Sequence, residues 1–89
     1  MTGGTQILRL LSGETCFKVV NILMSEPDFT TSLSKKLDIE SSRITHTLKN
    51  LEKNDLVSTY REKKLKYYQL KHKKKIHVLM KIVAEIQNE

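Results

Sequence analysis

Between residues 56 and 70 the apolar pattern of this chain changes period, and it changes back once the segment is passed. Before Asn54 and after His72, apolar residues recur every three or four positions, the repeat of an amphipathic helix. Residues 56–61 and 65–70 are instead rich in β-branched and aromatic side chains, on either side of charged Lys63-Lys64. A single β-hairpin inside an otherwise helical chain is the fold this permits. One proline and three glycines leave too few turn residues for an all-β alternative. With the turn centred on the two lysines, Val57 faces Leu70 and Thr59 faces Tyr68 on one side of the ribbon. Tyr60 pairs with Tyr67 on the other, and Arg61 faces Lys66. Two-residue hairpin turns favour glycine or asparagine, so Lys63-Lys64 also leaves a longer loop and a shifted register open.

The chain has 89 residues and a mass of 10.3 kDa, the size of one domain. Folding at this size buries only about 60–65% of the unfolded surface, so the core is thin and a partner copy would strengthen it. Hydrophobic residues at 38% and charged residues at 29% are those of a globular chain and exclude wholesale disorder. No apolar run reaches the roughly 18 residues of a membrane span. Met1-Thr2-Gly3-Gly4 lacks the basic and apolar blocks of a secretory signal. The one cysteine, Cys16, has no internal partner and reads as a small buried hydrophobe in a reducing, cytoplasmic compartment.

Residues 1–4 read as a disordered tail and 5–89 as one domain. A short helix over 6–11 stops at Ser12-Gly13, and a second runs over 14–25 until Pro27 closes it. Thr30 or Thr31 is the expected N-cap of a short helix over 32–37. A tight break at Asp38-Ile39 follows, and Glu40-Ser41-Ser42 offers the cap of a longer helix ending at Asn54. That helix buries Ile44, Leu48 and Leu51 and exposes Ser42, Arg43, Thr45, His46, Lys49 and Asn50. Asn54, and less easily Asp55, can take the left-handed conformation that ends a helix. From His72 on, Ile76, Leu79, Met80, Val83 and Ile86 form one stripe, widened by Ile82.

Charge is concentrated in one place. Residues 56–75 carry eight basic side chains and one acidic, a net +7, whereas the whole chain is only +6. A basic segment beside a neutral body points to a polyanion, with a lysine run that merely keeps the protein soluble as the plainer account.

Short helix, tight turn and long helix make a helix-turn-helix over 31–54, and the hairpin over 56–71 reads as its wing. In Leu33-Ser34-Lys35-Lys36-Leu37-Asp38-Ile39, in the helix 40–53, and in Asn54-Asp55-Leu56-Val57 with Arg61-Glu62 and Tyr67-Tyr68-Gln69-Leu70, the chain resembles the ArsR-like and MarR-like winged-helix regulators. Leu11-Ser12-Gly13-Glu14-Thr15 is similar to the ArsR-type opening. Two features depart from that pattern. Asp55 and Lys63-Lys64 stand where glycines are usual, and the paired cysteines of metal-sensing members are absent. His72 and His77 are five apart and share no helix face, so no metal site and no cofactor are expected.

The resemblance implies that Ser41, Ser42, Arg43, Thr45 and His46 face the bases in the major groove. Arg43 is the foremost reader, because a guanidinium can bond guanine at two points; otherwise it is a solvated surface arginine. Thr31 and Ser32, at the start of the short helix, suit a phosphate or plain capping. Lys49, Arg61, Lys63, Lys64 and Lys66 are expected on the DNA backbone. Tyr60, Tyr67 and Tyr68 are expected in packing rather than in base stacking. Ile7, Leu8, Leu10, Leu11, Ile76, Leu79, Met80, Val83 and Ile86, from helices within 5–25 and 72–88, form the expected dimer interface; the other reading is that they close a monomer core.

The function expected is that of a homodimeric, sequence-specific regulator of transcription, a repressor, acting on double-stranded DNA in a prokaryotic cytoplasm. Two alternatives stand beside it, a non-specific architectural DNA binder and a winged helix used for protein contact. No enzyme is expected: neither a nucleophile-base pair nor a phosphate-cradling glycine loop is present.

Overall fold

The computed structural model describes residues 3–87. Five helices and one hairpin follow in the order α1 (Gly3–Leu11), α2 (Glu14–Leu23), α3 (Thr30–Leu37), α4 (Ser41–Lys53), β1 (Val57–Glu62), β2 (Leu65–Leu70) and α5 (Lys73–Gln87). This is the winged helix-turn-helix architecture: mainly helical, with one antiparallel hairpin.

Helix α1 begins at Gly3, so residues 3 and 4 belong to it and not to a loose tail; Met1 and Thr2 lie outside the described residues. A helix tolerates glycine best in its first turn, where the N–H groups have no intrahelical partner anyway. The core is built where the four middle segments meet. Cys16, Val19, Val20 and Leu23 of α2, Leu33 of α3, and Ile44, Leu48 and Leu51 of α4 are all buried. Leu56, Val57, Tyr68 and Leu70 close it from the hairpin.

The ends of the helices differ from expectation in three places. Thr30 and Thr31 do not cap α3. Its N-cap is Phe29, whose carbonyl accepts the Leu33 N–H at 2.9 Å, so the helix starts one residue before the threonines could serve. Asn54 stays right-handed at φ −94°, and Asp55, at φ 60°, is the left-handed residue after α4. The Leu56 N–H reaches the Leu51 carbonyl at 2.9 Å and the Asp55 N–H reaches that of Glu52 at 3.0 Å, the paired bonds of a Schellman stop. Asn54 contributes differently, donating its side-chain amide to the Asn50 carbonyl at 2.7 Å.

The hairpin has the register read from alternation, with Val57 opposite Leu70, Thr59 opposite Tyr68, Tyr60 opposite Tyr67 and Arg61 opposite Lys66. Lys63 and Lys64 have φ of 52° and 70°, the positive pair that a type I′ turn needs. There is no longer loop.

Four of the residues expected at a dimer interface are spent inside the subunit. Leu11, Ile76, Met80 and Val83 are buried, because the 76, 80 and 83 positions of α5 turn toward α1 and the core. Helix α2, counted among the dimerisation segments, likewise gives its apolar face to the core. The outward side of α5 carries Val78, Ile82 and Ile86, which are 56%, 42% and 67% exposed, and Leu8 of α1 is exposed as well. Ile7, Leu10 and Leu79 are half-buried at the boundary.

Candidate nucleic-acid interface

Helix α4 presents two distinct polar faces. Opposite its buried Ile44, Leu48 and Leu51, residues Ser42, His46, Lys49 and Lys53 follow at helical spacing and are exposed. Ser41 is exposed beside them and Thr45 is half-buried. The His46 ring stands 3.4 Å from the Asn50 side-chain amide one turn on. Arg43 is exposed too, but it lies toward α1, on the flank it shares with Thr47 and Asn50. The five residues expected to read bases are therefore not one cluster: Ser42 and His46 face out, Ser41 and Thr45 lie to one side, and Arg43 lies to the other. Lys53 completes the outward face and was missed, although its spacing of four from Lys49 and seven from His46 marks it.

The wing stands against the start of α3. The Asp28 N–H donates to the Tyr68 carbonyl at 3.1 Å, and the Tyr68 N–H returns a bond to the Asp28 carbonyl at 2.8 Å. Beside this bridge the Phe29 ring meets Tyr67 edge-on at 5.2 Å, and Tyr67 stacks on Tyr60 at 5.3 Å with planes 7° apart. The tyrosines are thus packing residues of the ribbon. At the hairpin base the Lys71 N–H bonds the Leu56 carbonyl at 2.8 Å, and the Lys71 ammonium meets the Asp55 carboxylate at 2.6 Å.

Asp28 is the fixed point of this joint. It is buried, and its carboxylate accepts the Phe29 N–H at 2.8 Å and the Lys36 ammonium at 2.7 Å. Burial alone pushes its pKa up. Hydrogen bonds from Lys36, the Ser32 hydroxyl and the Phe29 N–H more than offset that, and the group stays below the usual carboxylate range. Ser32 is accordingly half-buried and already engaged by a carboxylate, while Thr31 is exposed.

The wing's cations remain free. Among the described residues the ion pairs are Glu14–Lys18, Asp28–Lys36 and Asp55–Lys71. Arg61, Lys63, Lys64 and Lys66 are exposed and make none, and the Lys66 ammonium lies 5.3 Å from the centre of the Tyr68 ring. Two like charges directly opposite one another, Arg61 and Lys66, oppose hairpin formation. A surface that leaves them unneutralised suits a polyanion. Among the described residues no helix is long and apolar enough to cross a membrane.

The sequence profile of a family described as "Uncharacterized protein conserved in archaea (DUF2250)" matches residues 7–81. No curated protein matches the chain. Among solved structures the chain is similar to reduced HlyU from Vibrio cholerae N16961, at 18% identity and a TM-score of 0.80 over 96% of this chain and 88% of that one. NolR from Sinorhizobium fredii gives 21% identity and a TM-score of 0.76 over 97% and 82%. The homodimeric winged helix-turn-helix DNA-binding domain of Mb0332 from Mycobacterium bovis gives 14% identity and a TM-score of 0.72 over 96% and 75%. At these identities the likeness is one of fold, and the fold is that expected from the ArsR-type resemblance.

Proposed function

The chain belongs to this archaeal family, DUF2250, and on that premise we propose that it is a homodimeric regulator of transcription, a repressor that binds a specific double-stranded DNA site. The observation that carries the reading is the pairing of an outward α4 face, Ser42, His46, Lys49 and Lys53, with a wing whose Arg61, Lys63, Lys64 and Lys66 have no internal counter-ion. Helix α4 enters the major groove with Ser42 and His46 at the centre of the face toward the base edges, Ser41 and Thr45 to one side of them, and Arg43 reaching in from the flank toward α1. Thr31, Ser32, Lys49 and the four wing cations lie along the phosphates. The homodimeric state and DNA binding of the Mb0332 neighbour support the same reading. The dimer face is the exposed stripe of Leu8, Val78, Ile82 and Ile86 with half-buried Leu79. The protein works in the cytoplasm on DNA and carries out no catalysis.

One observation favours a second reading, a general DNA binder with little base preference. The centre of the outward face holds a serine, a histidine and two lysines, while the one guanidinium of α4 sits on the flank. Selection of bound duplexes from a random pool, followed by competition against random DNA, decides between the two. The regulator reading requires an enriched sequence bound at least 10³-fold more tightly than random duplex. A ratio near one would establish the architectural role instead.

A further inference from the structure

The wing projects well past its last support. Among the described residues, no hydrogen bond, ion pair or ring contact ties residues 61–66 to anything outside the ribbon. Their charges do not hold them either, since Arg61 and Lys66 repel across the strands. The outermost ties lie at Tyr67 and Tyr68, and both lead to two adjacent residues at the start of α3. Tyr68 exchanges backbone hydrogen bonds with Asp28, and Tyr67 sets its ring against Phe29. From Tyr68 to Lys63 the ribbon extends roughly 16 Å. At that length a tilt of about 10° at the joint carries the tip about 3 Å, enough to make or lose a hydrogen bond to a phosphate oxygen.

The Asp28 side chain fixes the joint. The Phe29 N–H, the Ser32 hydroxyl and the Lys36 ammonium all donate to its carboxylate. Positions 29, 32 and 36 follow at helical spacing, so one stripe of α3 converges on a single acceptor. The carboxylate thus spans α3 from its N-cap to its last turn, while the backbone of the same residue holds the wing. Helix α3 in turn shares a core with α4, through buried Leu33, Ile44 and Leu48. The line of contacts runs from wing to Asp28, to α3, to α4. A charged acceptor is what draws the Lys36 ammonium along two turns of helix to a residue only 3% exposed.

We propose that Asp28, through Lys36, is a positioning residue that sets the wing against α4 so that both reach one duplex. This rests on the reading of the wing as a DNA contact and adds what holds it in place; neither residue has to touch DNA. The direction of the effect separates positioning from charge. By charge alone, removing a carboxylate from a protein that binds a polyanion tightens binding. Positioning requires the reverse.

The test takes the full chain and its Asp28→Asn, Lys36→Met and Lys36→Arg variants, below the melting temperature of the least stable. Nitrogen-15 relaxation is measured on the free proteins, and duplex titrations are run over a range of salt. Wild-type order parameters at 61–66 should lie near the roughly 0.85 of a rigid backbone. Asp28→Asn and Lys36→Met should both drop them below about 0.6 and leave α4 unchanged. Affinity for the selected duplex should fall about ten-fold in both, because the loosened wing must be ordered on binding or left off the backbone. The salt slope should fall by about one to two units. Lys36→Arg keeps the charge and the donor and should behave as wild type. If Lys36 itself gripped a phosphate, Asp28→Asn would free its ammonium and raise the slope while Lys36→Met lowered it, and such opposite signs overturn the proposal. A wing as ordered in Asp28→Asn as in wild type overturns it too, as does a loosened wing with an unchanged slope. A wild-type chain that binds no duplex would remove the regulator, and the order parameters alone would then uphold or overturn the Asp28 joint.

Discussion

Asp28 holds a negative charge where almost no water reaches it, and it does so because three donors converge on it. The sign of the resulting pH dependence follows from its lowered pKa. A carboxylate held lower in the folded chain than in the unfolded one contributes stability above its ordinary value of 3.8, and loses it as pH falls below that. Asp28→Asn should therefore lower stability at pH 7 by about 1–3 kcal/mol, and the gap between variant and wild type should close in thermal melts taken below pH 4. A gap independent of pH would mean the carboxylate's charge is not what matters. None of this was legible in the sequence beyond the stop that Pro27 puts to the second helix, since the wing partner, Tyr68, lies forty residues away and only the folded chain joins them. Arg43 shows the converse. Its exposure and helix were readable, but its flank depends on where α1 packs. If it still reaches a base, Arg43→Ala should cost about 1–3 kcal/mol of specific binding in a duplex titration and much less against random DNA. Equal losses would remove it from base readout.

The hairpin is the element whose pattern was most fully readable. Alternation fixes which side each residue faces, and a slip by one would move Val57, Tyr68 and Leu70 out of the core, so the register had little freedom. What alternation does not encode is the turn. Lys63 and Lys64 adopt left-handed backbone in place of the usual asparagine and glycine, at a cost of roughly 1 kcal/mol or more each. Cations kept at a strained tip make sense if they are used there. Lys63→Asn with Lys64→Gly should then raise the melting temperature by several degrees, about 4–8 °C for each kcal/mol recovered. The same change should lower the slope of log affinity against log salt by about one to two units. A stabilised variant with an unchanged slope would show that the wing tip does not touch phosphate.

At the scale of the molecule, the unsettled side of the sequence reading was which half of a wide stripe faces inward. Ile76, Met80 and Val83 lie two or three positions from Val78, Ile82 and Ile86, and both sets are apolar, so periodicity alone could not choose between core and partner. The fold puts the first set inside and leaves the second in water, and it is this exposed strip of α5, with Leu8 of α1, that the proposed dimer would cover with a second copy. A single subunit measures 40 × 27 × 21 Å, so two of them can set their α4 helices about 34–36 Å apart, one turn of duplex. Ile82→Glu with Ile86→Glu places charge on that strip without touching the core. Light scattering should then report half the mass, circular dichroism an unchanged helix content, and duplex titrations a salt slope near half that of wild type, since each bound unit neutralises half the phosphates. Met80→Glu is the contrasting case: it buries an unpaired charge and should unfold the chain. A double variant that keeps the wild-type mass would move the contact between copies away from α5, and with it the spacing of the two recognition helices.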